Sequence, residues 1–336
     1  MQTKLNIWSD LAKGVTTNKF ASILSEYFEY SKNHKQKIIL DLFPEGTNLY
    51  KNSIWHTIEQ VASKHSVQVS EIYLETCDLH AEYPCKVVKK EPAWFNMILN
   101  YPNMFSTKFS NAHDKIFGHF VARPSWDRVI LHDHIKSKAK SLYSFRQAKN
   151  KPISYENTLE DIKYYYPKDF KYYQDIADSL PASNIDLKND KADFITFPNN
   201  TLPLAPFYKR IFVDIVSESI IDKKICFITE KTVRPILFKS PFIIMAGQGF
   251  LATLRKFGFK TFDTWWSEDY DNYTGVGRLE KIKELIDSIS QMQNLFDIKL
   301  DMQENIEHNY SHLIKKRWKL YNDKIILDHG IMVGTE

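Results

Sequence analysis

The residues with the clearest chemical use are Thr229, Glu230 and Lys231, which follow the apolar pair Phe227 and Ile228 and open a stretch of helical spacing from Glu230 to Phe238. A helix N-terminus carries free backbone N–H groups and the positive end of the helix dipole, so it favours an anion, and a lysine there adds a full charge for a diphosphate. A neighbouring carboxylate can accept hydrogen bonds from both hydroxyls of a ribose. Together they describe a clamp for a nucleoside diphosphate. A plainer reading uses the same residues: Thr229 caps the helix, Glu230 favours its positive end and Lys231 is solvated.

Other constellations carry less. Asp269-Tyr270-Asp271 has the spacing of a divalent-ion site, but it follows Trp265-Trp266-Ser267-Glu268 just before a helix and reads as a loop shaping a pocket; no metal is expected. His132-Asp133-His134 falls on a predicted helix, where residues two apart point in different directions. Gly247-Gln248-Gly249 lacks the third glycine of a dinucleotide fingerprint and reads as a tight turn. The Tyr- and Lys-rich stretch from Tyr143 to Tyr173 has the ingredients of a nucleic-acid surface, but Glu156, Glu160, Asp161, Asp169 and Asp175 would repel phosphates. Cys77, Cys85 and Cys226 read as reduced thiols.

The elements that must position these residues follow from apolar periodicity. Strand, helix and strand are predicted at Lys37–Phe43, from Ser53 as N-cap, and at Glu71–Glu75. A second unit starts with a strand at Ile116–Val121 and a helix through Trp126 and Ile135, with Pro124 in its first turn. Regularity returns with strand Ile211–Val216, helix Glu230–Phe238, strand Pro241–Met245, helix Gly249–Phe257 and a short strand Phe259–Phe262. Helices at about Gly277–Gln291 and Met302–Tyr321 close the series. The alternation predicts an α/β protein of two Rossmann-like domains facing a cleft, with chemistry at the carboxyl ends of the strands. The expected division is 1–112 for an acceptor-side domain and 113–300 for a nucleotide-sugar domain with an insertion at about 149–205. A C-terminal segment, 301–336, is expected to pack back on the first domain.

The chain's 336 residues, 43% hydrophobic and 26% charged, suit two globular domains rather than a disordered or fibrous chain. Its 45 basic and 41 acidic residues leave a formal charge of +4, which neither demands nor excludes a polyanionic partner. No targeting peptide is read at the start of the sequence and its most apolar stretch, Ser240 to Gly247, is too short to span a membrane, so a cytoplasmic location is expected.

The run from Phe212-Val213-Asp214-Ile215-Val216-Ser217-Glu218-Ser219 through Phe227-Ile228-Thr229-Glu230-Lys231 to Ser240-Pro241-Phe242-Ile243-Ile244-Met245-Ala246-Gly247 resembles the donor-binding motif of α-1,3-fucosyltransferases (family 10-like). It is also similar to uncharacterised glycosyltransferases encoded by bacteriophages, for which the location would be the host cytoplasm. The resemblance is confined to the C-terminal half. It implies the two-domain GT-B architecture, with Glu230 on the donor ribose, Lys231 on the diphosphate, and Arg128, or Arg123 in its place, neutralising phosphate. Glu218, Thr229 and Gly247 belong to the same donor-binding set. The implied activity is metal-independent transfer of a sugar from a nucleotide diphosphate sugar to an acceptor hydroxyl on a glycan or a modified DNA base, with no cofactor. Asp41, Glu45 and Asp78 are candidate bases by position only, as are Glu75 and His80. Ser219 stands where the family has Asn, and Leu237-Phe238-Lys239-Ser240 where it has Ala-Gly. The alternatives are a nucleotide- or glycan-binding protein without turnover and a nucleic-acid-binding protein.

Overall fold

The computed structural model describes residues 4–7, 16–42, 49, 53–79, 81–89, 108–145, 152–186, 201–219, 221 and 226–315. They form two α/β units, the first holding the described residues up to 96 with Cys226 and Phe227, the second those of 97–223 and 228–317.

The first unit is a four-stranded parallel sheet in the order β1 (Leu5–Asn6), β2 (Ile39–Asp41), β3 (Tyr73–Thr76), β4 (Lys86–Lys89). Helices α1 (Thr17–Asn33) and α2 (Ile54–Lys64) make successive crossovers that step the same way across the sheet. Right-handed connections then put both helices on one face, where they pack together. Phe20, Leu24 and Phe28 form one stripe of α1, and Trp55, Ile58, Val61 and Ala62 one stripe of α2. Both stripes close on Leu40 and Leu74 of the strands.

The second unit is a five-stranded sheet in the order β7 (Ala182–Ser183), β6 (Ser141–Phe145), β5 (Lys115–Val121), β8 (Ile211–Ser217), β9 (Phe242–Met245); β7 alone is antiparallel. Strand β8, interior to the sheet between β5 and β9, is buried along its whole length, as a strand covered on both faces must be. The helices are α3 (Trp126–Lys136), α4 (Pro152–Tyr165), α5 (Phe170–Asp178), α6 (Ala205–Tyr208), α7 (Glu230–Leu237), α8 (Phe250–Lys256), α9 (Gly275–Gln291), α10 (Leu295–Asp301) and α11 (Gln303–Lys315). From β5 the chain moves outward to β6, then returns to place β8 on the other side of β5. The strand order therefore reverses between β5 and β8, and in open α/β sheets the carboxyl ends at such a reversal frame a ligand crevice.

One expected strand is corrected, and other expectations gain detail. Phe259–Phe262 is a loop, not a strand: the Lys260 N–H donates to Asn309 Oδ1 (2.7 Å) and its carbonyl accepts from Asn309 Nδ2 (2.8 Å), so a side chain of α11 takes the place of a ladder neighbour. The stretch read as an insertion carries α4 and α5, which pack on α3. Within the segment 301–336, expected to pack back on the first domain, the described helix α11 packs on α7, with Lys239 paired to Glu307 at 2.8 Å; the rest of the segment, 316–336, lies outside the described residues. Ser53 stands at the N-cap of α2 in a left-handed conformation (φ 58°), but its hydroxyl makes no capping bond. No helix among the described residues is long and apolar enough to cross a membrane.

Gly118 sits where β5 meets both neighbours, opposite Leu142 and Asp214. A Cβ there would lie 2.6 Å from Ile211 Cδ1 and 3.0 Å from the Phe120 ring, both buried. Gly118→Ala is expected to cost about 1–3 kcal/mol in urea denaturation through overpacking. Ile211→Val, which removes the colliding methyl, should recover part of that loss in the double variant.

Candidate functional site

The site is assembled where β5 and β8 end. Helix α3 starts five residues after β5, and Arg128 lies in its first turn, buried, with its guanidinium reaching across to the end of β8. Its Nη2 donates to the carbonyls of Ser217 (3.1 Å) and Glu218 (2.7 Å), and Nη1 to the carbonyl of Arg123 (2.9 Å). Burial lowers the Arg128 pKa, opposed by the carboxylates of Asp127, Glu218 and Glu230. The side chain of Arg123 is exposed.

Glu218, one residue beyond β8, is 1% exposed. One carboxylate oxygen accepts from Thr229 N (3.1 Å), Thr232 Oγ1 (2.6 Å) and Thr232 N (3.3 Å); the other accepts from Thr229 Oγ1 (2.6 Å) and Ser219 N (3.2 Å). It thus occupies the N-terminus of α7, the position the sequence offered to a diphosphate. Thr229 is the N-cap and its hydroxyl accepts the Lys231 N–H (3.2 Å). With the N–H groups of Thr229, Lys231 and Thr232 engaged inside the chain, much of the charge for a ligand must come from side chains.

Two such side chains are partly open. Glu230 and Lys231 pair at 3.1 Å, with side chains 16% and 13% exposed. Lys231 Nζ also donates to Ser219 Oγ (2.8 Å) and Thr229 Oγ1 (3.3 Å). Burial pushes the Glu230 carboxyl up, but Lys231 and Arg234 together outweigh it and hold the group below the ordinary carboxylate range. An ionised Glu230 is an acceptor only, suited to a pair of hydroxyl donors. Arg234, one turn along α7, is buried and reaches the Phe120 carbonyl at 3.4 Å; its Nε and that of Arg128 have no hydrogen-bond partner among the described residues. Sequence reasoning passed over Arg234, although its position four residues after Glu230 puts both on one helix face.

The same edge repeats the device. Asp271, from the Asp-x-Asp stretch, accepts the N–H groups of Leu251 (3.0 Å) and Ala252 (3.1 Å) at the start of α8. Arg278, fully buried, bonds Asp271 (3.1 Å), the Gly247 carbonyl (3.0 Å) and the Ile244 carbonyl (2.8 Å). Asp271 is thus a helix cap, and Gly247 serves as a carbonyl anchor. The pair His132 and His134 diverges: His132 is buried beside His119, Tyr143 and Phe145, while His134 reaches Asp287 at 3.0 Å. No cluster of three or more metal-ligating side chains occurs among the described residues.

In the first unit, Asp41 and Glu75 stand side by side near the carboxyl ends of β2 and β3, and Lys4 pairs with Glu75 at 2.8 Å. Asp78 is buried and accepts the Cys226 N–H (2.9 Å), while the Cys226 carbonyl accepts from Leu79 (2.9 Å), so Asp78 fastens the segment at Cys226 to the first sheet. Glu45 and His80 lie outside the described residues.

Two measurements follow. Glu218→Gln places an amide among groups that are all donors, and is expected to cost on the order of 3 kcal/mol in denaturant unfolding, whereas Lys231→Ala should cost under about 1 kcal/mol. Burial raises the Asp214 carboxyl to about 7, against the lowering influence of the Tyr208 hydroxyl and Arg234. A carboxyl raised in the folded state binds its proton more tightly there, so its contribution is full at low pH and is lost as pH climbs from about 4 to 7. Asp214→Asn should therefore gain stability over wild type as pH rises from 5 to 8, and an equal difference at both ends would refute the assignment. Comparison with protein-family models, with curated proteins and with solved structures returns no match, so the functional argument rests on this chain's own residues.

Proposed function

We propose that the chain is a glycosyltransferase that moves a sugar from a nucleotide diphosphate sugar to an acceptor hydroxyl. The observation that carries the reading is the gathering of Glu230, Lys231, Arg128 and Arg234 at the strand-order reversal between β5 and β8, where an α/β sheet offers a ligand crevice. The donor-motif resemblance of the same residues agrees with it.

In this reading Glu230 accepts the ribose hydroxyls and Lys231 turns from Glu230 to the diphosphate, with Arg123 as the exposed second cation. Arg128 and Arg234 supply a fixed positive field at low dielectric. Charge builds on the diphosphate as the sugar leaves, and cations already held in place stabilise it without reorganising, the work a metal does elsewhere. The acceptor hydroxyl must lose a proton to a base. The reading keeps Asp41, Glu45 and Asp78 as candidate bases, with Asp78 also accepting the Cys226 N–H. It also includes the finer architecture of two Rossmann-like domains of GT-B type, in the cytoplasm.

The test is a panel of nucleoside diphosphates and nucleotide sugars against wild type, Lys231→Ala and Glu230→Ala, read by thermal shift and by release of free nucleoside diphosphate. A nucleotide at about 100 times its Kd should stabilise the fold by about 2.7 kcal/mol. Both variants should need at least about tenfold more nucleotide for the same shift, a loss of about 1.4 kcal/mol. Slow donor hydrolysis by wild type would accompany it. Stabilisation without any hydrolysis or transfer favours a binding protein, and no stabilisation by any nucleotide overturns the site.

A further inference from the structure

Helices α4 and α5 carry large apolar groups that the fold leaves in water. Tyr164 is 78% exposed, Tyr172 57% and Tyr165 41%. Exposed aromatic patches of this kind mark binding surfaces. Their rings belong to one continuous series: Tyr164 meets Tyr165 (centroids 4.9 Å), Tyr165 meets Trp126 (4.5 Å), Trp126 meets Tyr166 (6.3 Å), Tyr166 meets Tyr173 (5.5 Å) and Tyr173 meets Tyr172 (5.2 Å). Trp126, itself buried at 5% exposure, opens α3 two residues before Arg128 and links the Tyr164–Tyr165 pair to the Tyr166–Tyr173–Tyr172 arm, so the ribbon passes beside the candidate site at its middle. It then follows α3 toward Asp133, whose carboxylate accepts the Tyr172 hydroxyl at 3.1 Å.

Charge decides what such a ribbon takes. Between Glu156 and Asp178 six carboxylates face three lysines, and Lys171 is already paired with Asp175 at 2.8 Å. A phosphate backbone needs a positive surface, so stacked nucleobases on a polyanion are disfavoured here. Aromatic faces bordered by carboxylates suit a neutral ligand with an apolar face and hydroxyl donors around its edge, which is the chemistry of a pyranose. We propose that the ribbon docks a neutral carbohydrate chain; resting on the transferase reading, that chain is the acceptor, a glycan rather than a base in DNA.

The full chain is titrated by intrinsic fluorescence with maltohexaose, cellohexaose and N-acetylchitohexaose, and with a single-stranded oligothymidylate. Saturable binding of at least one oligosaccharide, unchanged by added salt, is expected. Tyr164→Ala with Tyr172→Ala should weaken it about tenfold, as loss of aromatic contact area predicts, while Tyr172→Phe keeps the ring and stays within about twofold. Absence of binding by all three oligosaccharides overturns the proposal, as does salt-sensitive oligothymidylate binding that the double variant loses. Nucleotide stabilisation measured on the wild-type chain separates the two readings: its presence without oligosaccharide binding sinks the ribbon alone. Oligosaccharide binding without any nucleotide response sinks the donor site alone.

Discussion

The second unit is organised around a carboxylate that has almost no contact with water. Glu218 at 1% exposure would be strongly destabilising as an ion unless its oxygens were filled with donors. The chain supplies donors from Ser219, Thr229 and Thr232, and these bonds join the end of β8 to the first turn of α7. Arg128 completes the arrangement by joining α3 to the same strand end through the Ser217 and Glu218 carbonyls. Strand β8 and the helices that flank the strand-order reversal are therefore fixed by one buried ionic centre. Groups mounted on that frame inherit its rigidity, which an electrostatic site needs.

Asp271 and Arg278 repeat the device at α8, with Arg278 drawing in the Gly247 and Ile244 carbonyls. The consequence for binding is specific. Two helix N-termini at the ends of β8 and β9 are neutralised from within the protein, so neither dipole is left to attract a phosphate directly. Positive charge for an anion resides on Lys231, Arg123, Arg128 and Arg234, and Lys231 already has a partner in Glu230. In the proposed function the ligand exchanges with that ion pair, its ribose satisfying the carboxylate that Lys231 leaves. Such an exchange costs less than stripping an unpaired charge of water.

Much of the framework was legible from local pattern. The strands at β5, β8 and β9 and the helices α3, α7 and α8 came out within a residue or two of their observed ends, because apolar periodicity, N-caps and glycines act over a few positions. Thr229 was read as a cap and Glu230 and Lys231 as the opening of a helix, and the structure places them so. The stretch from 149 to 205 was less legible. Its tyrosines, prolines and lysines obscure the helical period of α4 and α5, whose helicity depends on Trp126 and α3 as packing partners.

By itself, then, the sequence determined the α/β class, the alternation of strand and helix from β8 to α8 and the placement of Thr229, Glu230 and Lys231 at a helix start. Tertiary structure alone decided the strand order, and with it the reversal that brings Arg128 to a carbonyl 90 residues away. It also decided that Glu218 fills the end of α7, that Asp271 caps α8 instead of holding an ion, and that Asn309 replaces a strand neighbour at Lys260. The reason is the same in each case. Periodicity and capping are interactions between neighbours, while a buried polar group takes its partner from whatever segment the folded core brings within hydrogen-bonding distance.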